Sequence, residues 1–471
     1  MHLTVLTDED GKPVAKEAPI PLYEPPVFQD VHNAQRQAVI IGAGPAGLFA
    51  ALTLLEHGIQ PIIYERGKEV SERKKDIALL NRNEGLNPES NYSFGEGGAG
   101  TFSDGKLFSR SKKRGNMQRV MELFHYFGAP DTVLYEAHAH IGSDKLPTII
   151  KRMRECILAH GGEIHFETKI ESLTPYTVHH TPIILAIGHS AHDTYRMLAA
   201  EGVTLETKGF AMGVRIEHPQ TLINKLMYHL KPSAVSSQQS VIDFVGNASY
   251  SMVTQVDGRG VYSFCMCPGG HIVPAGSTAD SCVVNGMSAS HRNSPYANSG
   301  MVVQINPEDI PGSDPLRGLE YQEALERLAY EQASQIKNEK LKIKNDSVAP
   351  AQRMRDFVEG RESKSLPACS YLPGIVPSRL DQWLPAHIGK RLQQGFRDFD
   401  RKYPGFLTND AVIVGVESRS SSAIRIPRDP ETLQSVSTPG LYPCGEGAGY
   451  AGGITSSALD GINAALKIAE G

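Results

Sequence analysis

Two glycine-rich turns, each running into an apolar helix, are the residues of this 471-residue chain whose types and spacing best suit chemistry. The first is Gly42-Ala43-Gly44-Pro45-Ala46-Gly47, which follows the apolar run 38–41. Gly42 permits a tight turn, Gly44 lets the backbone approach a pyrophosphate, and Gly47 lets the helix pack closely on the strand. The helix N-terminus then offers free N–H groups and a positive dipole end to the phosphates. Glu65 lies at the end of the next apolar run, where an acid accepts hydrogen bonds from ribose hydroxyls. The second turn, Gly445-Glu446-Gly447-Ala448-Gly449-Tyr450-Ala451-Gly452-Gly453, runs into a helix beginning near Ser456. Its bare amides suit a second anionic or electron-rich group. A domain binding NAD alone has no need of such a return at the far end of the chain.

In FAD proteins the second group is the pyrimidine edge of the flavin, and an acid in this turn holds the ribityl chain. Several long segments carry a wider likeness. They are GAGPAGLFAALTLLEHGIQPIIYERG at 42–67, NYSFGEGGAGTFSDGKL at 91–107, HIGSDKL at 140–146, VYSFCMCPGGHIVPA at 261–275, VNGMSASHRNSPYANS at 284–299, VESRSSSAIRI at 416–426 and GLYPCGEGAGYAGGITSSALDGINAA at 440–465. Through them the chain, from about residue 36 to its end, resembles a bacterial family of FAD-dependent dehydrogenases of unassigned substrate, within the glutathione-reductase-type flavoprotein superfamily. The ending is similar to the fumarate-reductase-related branch, which has Gly-Glu where other flavoproteins have Gly-Asp.

The resemblance implies a role for each matching residue. Gly42, Ala43, Gly44, Ala46 and Gly47 hold the pyrophosphate, and Glu65 and Arg66 flank the adenosine ribose. Gly97, Gly98, Ala99, Gly100 and Thr101 lie along the flavin or the pyrophosphate. Ile170 contacts adenine through its backbone, and Ala186-Ile187-Gly188-His189 forms the small-residue turn after the fourth strand. Gly445 and Glu446 face the ribityl hydroxyls, with Gly452, Gly453 and Ile454 at the N1–O2 edge of the flavin. The loop 93–103 holds no histidine for a covalent link, which favours non-covalent FAD. One departure stands out: residues 171–182 are too few for the three-stranded connection that usually separates strands three and four in this superfamily.

Candidates for the reaction itself are fewer. The segment 416–428 carries Arg419, Arg425 and Arg428 with Ser420, Ser421 and Ser422 between them. An arginine fork makes two parallel bonds to a carboxylate, and serine hydroxyls complete the acceptor shell. Arg419 and Ser421 are therefore expected at an anionic substrate, with Lys106, just after the first glycine-rich loop, as a further candidate near the flavin. Cys265 and Cys267 form C-x-C in an expected strand, where alternation puts both on one face; packing is the expected role, with a redox or flavin-facing thiol as the alternative. No C-x₄-C follows the first strand–helix–strand unit, which argues against a disulfide reductase of that type. His138 and His140 lack a third ligand cluster, so no metal site is expected. No G-x-S-x-G elbow supports hydrolase chemistry. Residues 190–440 contain no second dinucleotide fingerprint, so NAD(P)H, if it is the electron partner, binds transiently over the flavin.

The elements that must position these residues follow from pattern. Strands are expected at 38–41, 61–65, 164–168, 183–187 and 441–443, and helices at 45–57, 117–127, 146–160 and 456–469. From about residue 206 short alternating runs at 251–256 and 261–265 read as antiparallel sheet, followed by helices at 321–337 and 382–403 and a strand at 411–416. The expected fold is α/β (α+β overall). A Rossmann-type FAD-binding domain, 36–205 plus 406–471, carries an inserted, largely antiparallel substrate domain, 206–405, and a polar arm, 1–35, precedes them. Net charge is -5, with no basic stripe, which argues against a nucleic-acid binder. The run Lys112-Lys113-Arg114 reads as a solvated face. The uncharged stretch 38–55 is interrupted by glycines and Pro45 and reads as buried strand and helix, not as a membrane span. No secretory signal pattern opens the chain, so a cytoplasmic location is expected. The expectation is an FAD-dependent oxidoreductase, a dehydrogenase or reductase of a small, anionic metabolite. The alternatives are a flavin monooxygenase and a flavin-binding RNA-modification or scaffold protein.

Overall fold

A computed structural model describes residues 24–108, 115–177, 180–230, 242, 245–340 and 347–471. The basic run 112–114 and most of the N-terminal arm lie outside these. Five short strands form a parallel sheet: β1 (Gln37–Ile41), β2 (Gln60–Tyr64), β3 (Glu163–His165), β4 (Ile183–Leu185) and β16 (Leu441–Pro443), in the order β16-β4-β1-β2-β3. This is the open doubly wound arrangement, in which ligands bind beyond the carboxyl ends of the strands. β1 is central, and four of its five residues are buried, as its continuous apolar run requires.

Helix α1 (Pro45–Glu56) leaves β1 through the first glycine turn. Ten of its twelve residues are buried, so it is apolar nearly all round and forms a core helix. Pro45 occupies the first turn, where its missing N–H costs nothing. A Cβ on Gly47 would lie 1.9 Å from the Gly42 carbonyl oxygen, which is the close helix–strand approach expected of the third glycine. The C-terminal helix Ile454–Glu470 packs on α1 just as closely. A Cβ on Gly461 would lie 2.0 Å from the Ala46 carbonyl oxygen. α1 and the C-terminal helix thus share one core. The described part of the arm joins it: the Gln29 and Val31 amides donate to Leu55 and His160 carbonyls, and the Arg36 guanidinium donates to the Ile468 carbonyl.

A seven-stranded mixed sheet occupies the middle of the chain, in the order β13-β12-β14-β6-β11-β8-β7. Its strands are β6 (Phe210–Pro219), β7 (Val253–Val256), β8 (Arg259–Cys267), β11 (Tyr296–Ile305), β12 (Ala349–Arg353), β13 (Ile375–Pro377) and β14 (Val412–Glu417). β6 and β11 pair antiparallel over ten residues, and every pairing in the sheet but β12–β13 is antiparallel. The hairpin β9 (His271–Pro274) and β10 (Val284–Met287) lies beside it. β14 falls in the segment 406–471, expected in the cofactor domain, yet it pairs with β12 and β6. The reason is burial: all six of its residues are buried, so it needs a strand on each side. The chain passes between the two sheets at β5 (Glu206–Thr207) and β15 (Ile424–Arg425), which pair with each other.

Two other expectations shift. The helix expected at 382–403 is two helices, Leu380–Trp383 and Ala386–Lys402, because Pro385 drives Leu384 into an extended conformation (φ -58°, ψ 139°). Between β3 and β4 the described residues hold only the short helix Thr174–Thr177, in line with the missing three-stranded connection. No helix among the described residues is long and apolar enough to cross a membrane.

Candidate functional site

A cavity of about 420 Å³ opens beyond the carboxyl ends of the parallel strands and reaches the edge of the seven-stranded sheet. At its first end lie Gly42, Gly44, Ala46, Glu65, Arg66, Gly98, Ala99 and Gly100. Ile170, Ala186 and Gly188 line one wall, and Gly445, Glu446, Gly452, Gly453 and Ile454 another. Lys106 and Arg419 line the far end, together with Phe264, Cys265, Asn285 and Ser420. Ala43, Gly47, Gly97 and Thr101 stand behind this surface: the Gly97 amide donates to the Ala43 carbonyl at 2.8 Å, and the Thr101 hydroxyl to the Glu96 carbonyl at 3.2 Å. Ser421 is not on the lining; its neighbour Ser420 is.

Two helices begin at this cavity, α1 at Gly44 and the C-terminal helix at Gly453, and neither has a side-chain cap. Their first N–H groups therefore keep capacity for a ligand. Two glycines test the fit to a dinucleotide. Gly44 has an ordinary φ of -75°, and the nearest atom to a Cβ there is 3.8 Å away. A Cβ on Gly452 would meet nothing within 4 Å. Neither position is crowded by the protein itself, and both line the cavity, so the backbone there is open to close approach by a ligand.

Glu65 does more than the sequence suggests. One carboxylate oxygen accepts the Ala43 amide at 2.8 Å, and the other accepts the Gly67 and Gly95 amides at 2.9 and 3.0 Å. It ties the first glycine turn to the loop 91–101, and lone pairs remain for a ribose hydroxyl. Arg66 stacks over Phe94 at 4.1 Å and pairs with Glu89 and, through both terminal nitrogens, with Asp193. Despite burial, Arg66 and Lys169 hold the Asp193 carboxyl below its ordinary range.

Arg73 is the main residue missed by sequence reasoning. It is fully buried and donates to the carbonyls of Asn91, Tyr92, Gly95, Glu96 and Gly98. Burial lowers it to about 10, against the pull of Glu65 and Glu96. Its signal was the spacing of Val70, Arg73, Ile77 and Leu80, which puts the arginine on the buried face of the helix Val70–Asn81. Tyr195 was missed too. Its buried hydroxyl donates to the Gly447 carbonyl at 2.6 Å and fixes the last glycine turn against the segment after β4.

At the far end the expected anion clamp is altered. Arg419 is buried, and its fork is already taken: Nε and one Nη lie 3.0 and 2.9 Å from the two oxygens of Glu326, and the other Nη donates to Ser277 at 2.9 Å. Despite burial, Arg419 holds the Glu326 carboxyl below its ordinary range. Ser420 donates to the Ala211 carbonyl at 2.6 Å. Lys106 pairs with Asp104 at 3.1 Å and donates to the Met266 carbonyl. Arg215, fully buried beneath, pairs with Glu417 at 2.9 Å and donates to Asn298 and Asn285. Burial raises Glu417 to about 7 against the pull of Arg215.

Comparison with known proteins agrees with this geometry. Residues 209–420 match a family model described as "FAD-dependent protein, C-terminal domain-like". Over 451 residues the chain is 42% identical to an uncharacterized protein of Clostridium beijerinckii, a match spanning 92% of this chain and 80% of that one. The chain belongs to the same family as that protein, and its cofactor is FAD. Among solved structures, CtdE in complex with FAD is similar at 9% identity and a TM-score of 0.30, covering 93% of this chain and 84% of that one. A halogenase PltM mutant in complex with FAD is similar at 12% and 0.35, covering 93% and 69%. At these TM-scores neither adds to the fold read from the strands themselves.

Replacing Arg73 by Met keeps the bulk and removes the buried guanidinium. Loss of one member of a buried polar set costs about 3–5 kcal/mol. The variant is expected to unfold at lower denaturant by that amount and to purify with much less FAD. Unchanged stability and FAD content, by denaturant titration and absorbance, would rule out this role for Arg73.

Proposed function

We propose that this chain is an FAD-dependent oxidoreductase, a dehydrogenase or reductase that exchanges hydride between the flavin and a small anionic metabolite. The observation that carries the reading is the single cavity that joins two uncapped helix N-termini to a polar far end formed by the other sheet. Bound FAD supplies the two-electron chemistry through its ring system. The chain's own residues bind and orient. Gly42–Ala46, Gly98–Gly100 and the start of α1 receive the pyrophosphate, and Glu65 and Arg66 the adenosine ribose. Ile170 meets adenine, Glu446 the ribityl chain, and Gly452, Gly453 and Ile454 the pyrimidine edge. Lys106 and Arg419 hold positive charge at the far end, where a substrate carboxylate would sit. Arg419 keeps its position because Glu326 fixes it, so it acts on a substrate through its field and its remaining N–H capacity rather than as a free fork.

The strand order and the Gly445-Glu446 turn support placement with glutathione-reductase-type flavoproteins, near the fumarate-reductase-related branch. In the same reading 206–417, including β14, is the substrate-side insertion, and β5 and β15 are its two points of passage.

Three measurements test the proposal. Gly44→Val puts a branched side chain where the pyrophosphate approaches, so the variant should fold and lose most of its FAD; full occupancy would move the pyrophosphate elsewhere.

The electron partner is read from an absence of fingerprint in 190–440. Stopped-flow reduction by NADPH and NADH should saturate weakly, with little preference between the two. Tight, selective binding of one of them contradicts this.

The double variant Arg419→Gln with Glu326→Gln replaces a buried ion pair by a neutral one and leaves no charge stranded. A hydrogen bond to a charged group contributes roughly 1.5–3 kcal/mol, so turnover of an anionic substrate found by anaerobic flavin bleaching should fall about 10- to 150-fold. FAD content should stay near normal. Turnover like that of the parent would remove Arg419 from the substrate site.

A further inference from the structure

The C-x-C segment does not behave as alternation in a strand requires. β8 pairs with β11 through Ser263↔Met301 and Phe264↔Gly300, and next through Cys267↔Asn298. Cys265 and Met266 therefore face Ser299 alone, which makes a β-bulge. Cys265 has φ +45°, a left-handed conformation uncommon outside glycine. Strained backbone of this kind clusters at functional sites, and here it has a definite effect on the side chains. Cys265 is half-buried on the cavity lining, while Cys267 is fully buried behind it. The Cys267 thiol turns back toward Cys265 and donates to its carbonyl oxygen at 3.3 Å. Two residues of regular strand span about 6.6–6.8 Å, the long end of the range a disulfide tolerates. A bulge bends the strand and draws the two residues closer than that, and Cys267 Sγ lies against the Cys265 backbone.

The surroundings differentiate the pair. Lys106, half-buried at the cavity wall, donates to the carbonyl of Met266 between the two cysteines. The Arg215 guanidinium donates to the Cys265 carbonyl at 2.8 Å and to Cys267 Sγ at 3.6 Å. Interaction with the Cys267 thiol, with the Lys106 and Arg215 cations, pushes the Cys265 thiol well down, against burial and the Asp104 carboxylate. The same interaction and burial push Cys267 up. Glu417, paired to Arg215, is the other charged group facing them. Of the six cysteines Cys265 alone is pushed down; Cys156, Cys282, Cys369 and Cys444 are pushed up by burial. A cavity-facing thiol that neighbouring cations favour as its anion, with a buried thiol two residues on, is the arrangement of an attacking and a resolving cysteine.

We propose that Cys265 and Cys267 form a redox pair that exchanges two electrons with the FAD in this cavity. The inference rests on the reading that the cavity holds the flavin beside these residues. Closing the pair forms one Sγ–Sγ bond and breaks the Cys267 S–H bond. The Cys265 thiolate and the Cys267 thiol together lose two electrons, and these pass with the Cys267 proton to oxidised FAD, leaving a disulfide and fully reduced FAD. Opening the pair is the reverse.

The test uses the full-length holoprotein and reads mass rather than turnover. Diamide treatment should remove two hydrogens within the segment 260–267, and Cys265→Ser and Cys267→Ser should each abolish that change. Anaerobic photoreduction with EDTA then admits electrons only through the flavin. As the flavin bleaches, Cys265 and Cys267 of the oxidised wild type should again become alkylatable by iodoacetamide, with no return in a dark control. A segment unmodified by diamide, or one that stays oxidised while the flavin bleaches, overturns the proposal. Should either variant fail to fold, the wild-type sequence of diamide, light and alkylation decides alone. FAD content is measured first: a preparation without FAD overturns the cavity reading, whereas full FAD with an inert segment overturns only the redox pair.

Discussion

Glycine-rich loops bring backbone close to a ligand at the cost of leaving many buried N–H and C=O groups without a regular partner. In this molecule two opposite buried charges meet that demand. Glu65 collects the amides of Ala43, Gly67 and Gly95, and Arg73 collects five carbonyls between Asn91 and Gly98. One side chain satisfies donors and the other acceptors, and Gly95 belongs to both sets. The first glycine turn and the loop 91–101 are thereby held as one surface, although no strand or helix joins them. A Cβ at Gly95 would meet the Arg73 side chain at 2.4 Å, so the loop is closed around the arginine. Buried charges so used confer little net stability over apolar packing, but they fix a geometry that apolar packing would leave loose.

The seven-stranded sheet repeats the device at the other end of the cavity. Arg215 and Glu417 lie opposite β11 on β6 and β14, and the arginine reaches Asn298, Asn285 and the Cys265 carbonyl. A second pair, Arg419 with Glu326, holds the segment after β14 to the helix Arg317–Lys340. A third, Arg292 with Asp104, ties the loop that carries Lys106 to the segment after β10. Each of these pairs crosses between distant parts of the chain, and each ends at the cavity or just behind it. The far end is therefore built from long-range contacts, whereas the first end is built within the single stretch 42–100.

That difference explains what could be read in advance. The strand 38–41, the turn 42–47, Glu65 and the helix from Ser456 onward are local patterns, and local patterns are legible. β6 and β11 escaped because both are buried on both faces and show no alternation, with Arg215, Glu217 and His218 sitting inside an otherwise apolar run. Helix Val70–Asn81 escaped because its charged SERKK stretch hides a narrow buried face that includes Arg73. Arg419 was legible as a residue of the site but not in its pairing, since Glu326 lies on a helix that nothing in the sequence brings to it. The two cysteines were legible as a pair, and alternation then gave the wrong relation between them. A bulge is a property of the pairing of two strands, and only the register of β8 against β11 contains it.

The molecule thus separates two tasks. The parallel sheet and its two helix ends present mainly backbone amides and helix dipoles to the cavity. The opposite wall, where Phe264, Cys265, Asn285, Lys106 and Arg419 lie, presents side chains rather than backbone. Those side chains stand on β8 and β10, on the loop after the first glycine turns, and on the crossing segment after β14. A change in the register of the seven-stranded sheet would move Phe264 and Cys265 on β8 relative to the parallel sheet, and Lys106 is itself tied to β8 through Met266. The sheet therefore serves as the positioning element for this wall of the cavity, and its buried polar residues hold its register.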